Sequence, residues 1–191
     1  MKIAYILLLS LLPLLSFGQS FVLTPEGLRD SADETKDYLV IPIEGKTAAE
    51  LYQASKNYIQ QLSKNPKESI KGDSPNEYLR FAIYIPEVTS IGQMGGMVKM
   101  VYEGLFDVEM RFKDGRVRYN ISNLEMPMKD DEVGHELKLS GSNWGGWAVF
   151  DTKGKVKLKK QKTEIEDFFN GLVYDYTTTI TSENVGVSDD W

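Results

Sequence analysis

The chain has 191 residues, enough for one ordinary domain whose core needs no covalent staples. Hydrophobic content of 41% and charged content of 26% describe a globular chain rather than a disordered one. The net charge of −6 opposes a nucleic-acid partner, which calls for an excess of Lys and Arg. With no cysteine there is no disulfide, no Cys-based zinc site, no thiol nucleophile and no cysteine-borne lipid.

Residues 1–18 read as a cleavable export signal. Lys2 supplies the positive start, and an apolar run from Ile3 to Leu15 follows, broken only by Ser10 and Pro13. The run falls short of the roughly 20 residues that span a bilayer. Ser16-Phe17-Gly18 supplies a small-x-small cleavage site, so the cut is expected after Gly18. Gln19 then starts a periplasmic or secreted protein with no stable membrane anchor.

Residues 19–37 are polar, contain Pro and Gly, and read as an irregular lead-in, with Phe21, Val22 and Leu23 able to pack as a short edge strand. Residues 38–43 (YLVIPI) predict a strand, at an edge or bulged at Pro42, which has no N–H to donate. Gly45-Lys46 turns the chain, and Thr47 with Glu50 forms a capping box. Leu51, Ser55, Tyr58, Ile59 and Leu62 then share one face of a helix that ends before Asn65-Pro66.

Strands are predicted next. Ser69 to Gly72 forms a short one, and Tyr78 to Ile85 a strong one closed by Pro86. Ser90 to Met97 (SIGQMGGM) reads as a glycine-containing connection, and Val98 to Phe112 as a long strand bent or bulged at Gly104. Asp114-Gly115 turns it into a return strand, Val117 to Leu124. Residues 126–143 read as an acidic, Gly-containing loop. Trp147 to Phe150 and Lys155 to Lys159 predict a second hairpin around Asp151–Gly154. A last helix starts at a second capping box, Thr163 to Glu166, and repeats Ile165, Phe168, Phe169, Leu172, Tyr176 and Ile180 at helical spacing. Residues 181–191 read as a flexible tail. The order gives an α+β fold of one domain over residues 38–180, a curved antiparallel sheet with two helices on one face.

Two stretches, YLVIPIEGKTAAELYQASKNYI and FDVEMRFKDGRVRYNIS, carry a resemblance. With Leu51-Tyr52, the Lys113 to Tyr119 hairpin and the lead-in Leu23 to Gly27, the chain resembles a secreted domain-of-unknown-function family of Bacteroides-type bacteria with a TATA-box-binding-protein-like (TBP-like) fold. The likeness covers most of residues 21–180. It implies one helix-backed sheet and a periplasmic or secreted home, and it supplies no activity and no catalytic residues.

No catalytic constellation is legible. His135 is the only histidine, in a charged loop, and neither a Gly-x-Ser-x-Gly elbow nor an HExxH pair exists. The acids Asp130, Asp131, Glu132 and Glu136 lack the spacing of a calcium loop and read as solvated. No metal and no cofactor is therefore expected. Trp144-Gly-Gly-Trp147 places two large rings beside two glycines, suited to a sugar or an apolar partner, or simply to covering the sheet. Met94 and Met97 are adaptable apolar groups beside Gly95 and Gly96. The leading expectation is a non-enzymatic exported module that binds an envelope protein or a small ligand on the sheet face or at Trp144, Trp147, Met94 and Met97. One alternative is a lipid carrier with a cavity among Phe81, Tyr84, Met100 and Phe169. Another is a glycan or peptide hydrolase using carboxylates that sequence cannot pick out.

Overall fold

The computed structural model describes residues 19–62, 65–142 and 147–182. The export signal, Trp144 and residues 183–191 of the expected tail lie outside these. A five-stranded antiparallel sheet organises the chain, in the order β3-β7-β6-β5-β4. Its strands are β3 (Tyr38–Pro42), β4 (Ile70–Ser74), β5 (Tyr78–Gln93), β6 (Val98–Lys113) and β7 (Arg116–Glu125). Side chains alternate across a strand, so every second residue shares a face. Val108, Met110 and Phe112 of β6 lie opposite Ile121, Tyr119 and Val117 of β7, and all six are buried.

Helices α1 (Ala48–Leu62) and α3 (Lys159–Ser182) both pack on that apolar face. Tyr52 of α1 meets Phe112 edge-on at 5.8 Å between ring centroids, and Phe169 of α3 meets Phe106 at 5.0 Å. The helices meet each other through Tyr58, Ser55 and Tyr176. The Tyr58 and Tyr176 rings lie 5.4 Å apart, and the Ser55 and Tyr176 hydroxyls share a 2.8 Å hydrogen bond. The α+β architecture expected from the sequence is the one observed. A third helix, α2 (Pro66–Ser69), is a single turn.

The first capping box forms as expected. The Thr47 N–H donates to Glu50 Oε2 at 2.7 Å, and the Glu50 N–H returns to Thr47 Oγ1 at 3.3 Å. Asp114, in the turn between β6 and β7, accepts the Ala48 N–H at 2.8 Å and ties the start of α1 to the sheet. Gly115 beside it holds φ at 74°, a left-handed backbone that glycine adopts without a steric penalty. Pro42 sits on β3, which among the described residues pairs only with β7, the edge position that was one of its two expected placements.

Several expectations need correction. The lead-in contains a hairpin, β1 (Phe21–Thr24) and β2 (Gly27–Asp30), with Phe21, Leu23 and Leu28 in the core. Helix α3 holds it by standing in for a neighbouring strand. Asn170 accepts the Phe21 N–H at 2.7 Å and donates to the Phe21 carbonyl at 3.1 Å, while Glu166 accepts the Leu23 N–H at 2.8 Å. Glu166, read as part of a cap, is thus inside the helix, which begins one turn earlier at Lys159.

Strand β5 does not end at Pro86. It continues to Gln93, and the extra residues Pro86 to Val88 form the bulge there, opposite β6. The bulge or bend expected at Gly104 falls on the strand opposite it, since the register shifts just after Ile85, the partner of Gly104. Gly104 is the residue over which the displaced Val88 side chain lies: a Cβ there would sit 2.5 Å from Val88 Cγ2.

The expected loop at 126–143 contains β8 (Leu137–Ser140), paired in parallel with β9 (Trp147–Phe150). Lys155 to Lys159 is no strand. The Asp151 carboxylate accepts the Lys153 and Lys155 N–H groups at 2.8 and 2.9 Å, and only Phe150 and Val156 form a bridge. Asx-type capping satisfies those amides locally, where the alternating pattern predicted a ladder.

Candidate functional site

The face of the sheet turned away from the helices is polar and ordered in rows, given by the register. At the hairpin end, Lys113 lies opposite Arg116, with Pro42 beyond on β3. The next row runs Val40, Arg118, Arg111, Tyr78 and Ser74, and the third runs Tyr38, Asn120, Glu109, Arg80 and Gly72. Asp107 follows between Ser122 and Ala82.

Cross-strand contacts hold these side chains. Arg80 donates to Asp107 Oδ2 at 2.6 Å from Nη2 and 3.2 Å from Nε, and Asn123 donates to the same oxygen at 2.7 Å. Burial pushes the Asp107 carboxyl up, but these hydrogen bonds and the Arg80 charge outweigh it and hold the group below the usual carboxylate range. Glu109 accepts from the Tyr78 hydroxyl at 3.1 Å and from Ser122 at 3.0 Å. Burial first, then the Glu109 contact, raises the Tyr78 phenol, so it stays a donor. The Arg118 guanidinium lies 3.7 Å from the centre of the Tyr38 ring, and Arg111 lies 5.1 Å from that of Tyr78.

Two clefts border this face. One of about 730 Å³ runs along β5 where β4 has ended, lined by Ile59, Leu62, Phe81, Ile83, Tyr84 and Leu105 among others. It is mainly apolar, and Leu62, expected in the core, is exposed beside it. The other, about 280 Å³, is polar and lies between β2 and β7, with Arg29, Asp37, Asn120, Ser122 and Asn123 in its wall.

The residues singled out in the sequence are placed apart. Met94 and Met97 occupy the tip of the β5–β6 hairpin, 73% and 85% exposed. Trp147 is half-buried on β9 and packs against the core. None of these three lines either cleft. Of the four carrier residues, Phe81 and Tyr84 line the larger cleft, Tyr84 also donating to Glu103 at 2.7 Å, while Phe169 is core and Met100 half-buried, and neither lines it.

His135 is half-exposed. Its N–H donates to Asp131 Oδ2 at 2.5 Å and its Nδ1 lies 2.9 Å from the same atom, an arrangement internal to the loop. Among the described residues no three His, Asp or Glu side chains converge as metal ligands. Sequence reading missed the cation rows because lysine and arginine at alternating strand positions look like any solvated face. Strand pairing is what sets them opposite one another.

No family model matches the chain, and no curated protein matches it. Two solved structures share its fold. One is a DUF4468 family protein from Bacteroides ovatus, 12% identical, with a TM-score of 0.53 over 75% of this chain and 84% of that one. The other is a TBP-like protein from Parabacteroides distasonis, 13% identical, with a TM-score of 0.54 over 78% of this chain and 92% of that one. At such identities the likeness speaks of architecture alone. The resemblance read from the strand, helix and hairpin motifs is therefore matched at the level of fold: this chain has the TBP-like α+β architecture of these Bacteroides-type proteins.

Proposed function

We propose that the protein is a non-enzymatic binding module of the cell envelope, exported after cleavage near Gly18-Gln19, which engages its partner on the helix-free face of the sheet. One observation carries the reading. Both long helices pack on the other side, yet the helix-free face is organised, with Arg80–Asp107–Asn123, Tyr78–Glu109–Ser122 and two arginine–tyrosine cation–π contacts holding its side chains. A merely solvated face has no need of such cross-strand order. An ordered polar surface loses less side-chain entropy when it binds.

The test is photo-crosslinking in cells. A photoreactive residue at Val40 or Ala82, on the sheet face, is expected to give discrete adducts, while one at Asp175, exposed on α3, gives none. Adducts from Asp175 alone, or none from either position, refute the reading. N-terminal sequencing of the protein from the envelope fraction is expected to begin at Gln19, and a chain beginning at Met1 refutes the export step.

A further inference from the structure

We propose that the two cation rows at the hairpin end of the helix-free face bind an extended acidic polypeptide segment. This deepens the sheet-face reading and rests on it. Lys113 faces Arg116 and Arg111 faces Arg118 directly across the β6–β7 ladder. Like charges directly opposed destabilise an antiparallel pair. A chain of net charge −6 nevertheless groups four of its 22 Lys and Arg residues in these two rows.

Counter-ions for them are scarce. Among the described residues only Arg118 has a carboxylate within ion-pair reach, Asp37 at 3.7 Å. Glu109, the acid in the next row, already accepts hydrogen bonds from Tyr78 and Ser122. Arg118 and Arg111 lie over the Tyr38 and Tyr78 rings, at 3.7 and 5.1 Å from their centres, and these cation–π contacts hold them on the face. A guanidinium whose charge rests over a ring uses no N–H donor in that contact and keeps its donors for a carboxylate.

The size of the patch selects the ligand. Rows two residues apart on a strand are about 6.7 Å apart, which is the spacing of side chains at i and i+2 of an extended peptide. Asp or Glu at alternate positions then sets one carboxylate over each row. A long polyanion would run beyond two rows onto a surface with an overall negative charge.

Fluorescence anisotropy tests this, using the protein from Gln19 to Trp191 and a labelled nine-residue peptide with Glu alternating with Ser. The expected result is binding that weakens with salt. Arg111→Gln and Arg118→Gln should each weaken it at least fivefold, and Lys153→Gln, on the Asp151 turn, should not change it. Lys113→Glu is the discriminating variant. It replaces a like-charge pair by an opposite-charge pair, so Tm should rise by roughly one to two degrees while peptide affinity falls at least fivefold. A merely structural role for these cations moves Tm without moving affinity, and that outcome overturns the proposal. No peptide binding at low salt overturns it as well, as does tighter binding of an oligonucleotide or sulfated polysaccharide of equal charge. If the peptide fails while crosslinks from Val40 and Ala82 persist, the sheet-face reading survives and the acidic ligand does not.

Discussion

Gly104→Ala should destabilise the protein, and Val88→Ala should partly rescue it. A Cβ at residue 104 would lie 2.5 Å from Val88 Cγ2, where carbon atoms normally rest at about 3.5–4.0 Å. Something must move by roughly 1 Å, and Val88 is buried, β-branched and confined by the bulge. Overpacking of this kind costs about 1–3 kcal/mol. Gly→Ala also removes unfolded-state entropy, worth about 0.4–1 kcal/mol where the backbone allows it, so a net loss of about 1–2 kcal/mol is expected. Val88→Ala alone removes two buried methyl groups and costs about 1.5–2 kcal/mol. In the double variant the new methyl occupies part of the space Val88 left. The combined loss should then fall short of the sum by about 1 kcal/mol. Urea unfolding of the four proteins at 25 °C reads this from the midpoints, provided the slopes agree. Additivity within about 0.3 kcal/mol, or a neutral Gly104→Ala, would refute the claim that glycine is there to admit Val88.

Other consequences follow from the polar groups of the core and its rim. The Tyr58 hydroxyl is buried without a partner among the described residues, so Tyr58→Phe should stabilise by about 1 kcal/mol in a thermal melt. Burial, with a smaller push from the Asp175 charge, raises the Tyr58 phenol to about 12. The folded state thus holds this proton more tightly than the unfolded state, whose tyrosine titrates near 10. Its contribution is complete below about pH 10 and lost as pH rises to 12, and alkaline unfolding should be shallower in Tyr58→Phe. Asp73 has the opposite sign. The Tyr52 hydroxyl, at 2.5 Å, and then Lys56 lower its carboxyl against the cost of burial. Its contribution is present above the unfolded value of about 3.9 and lost as pH falls below it, so Asp73→Asn should flatten the acid limb of stability. Asn170→Ala leaves the Phe21 N–H and carbonyl without their partner and should cost about 1–3 kcal/mol. Hydrogen exchange should speed up at Phe21 first, and unchanged exchange there would count against the tether.

The α+β class, the helix-backed sheet and the Lys113–Arg116 hairpin were legible because each rests on local signals. Capping at Thr47–Glu50, the Asp114-Gly115 turn and strict alternation from Val117 to Ile121 need only neighbours in sequence. What failed was the choice between competing local partners. Lys155 to Lys159 alternated like a strand, but the Asp151 carboxylate captured the Lys155 N–H and only Phe150 and Val156 bridge. Thr163–Glu166 looked like a cap, but Glu166 was needed 143 positions away at Leu23. Leu62 completed an apolar helical face, yet β4 ends before covering it.

The candidate site was less legible than the fold. Sequence could point to exposed methionines and to aromatic rings, and Met94 and Met97 are exposed. It could not find that Arg111 lies opposite Arg118, or that Asp107 is shared by Arg80 and Asn123. Amino-acid order alone determined the two long helices and the β6–β7 hairpin, and which stripe of each is apolar, since those follow from backbone periodicity. The tertiary structure decided which charges stand opposite one another. Register joins residues distant in sequence, and a one-residue slip would send every one of those side chains to the other face.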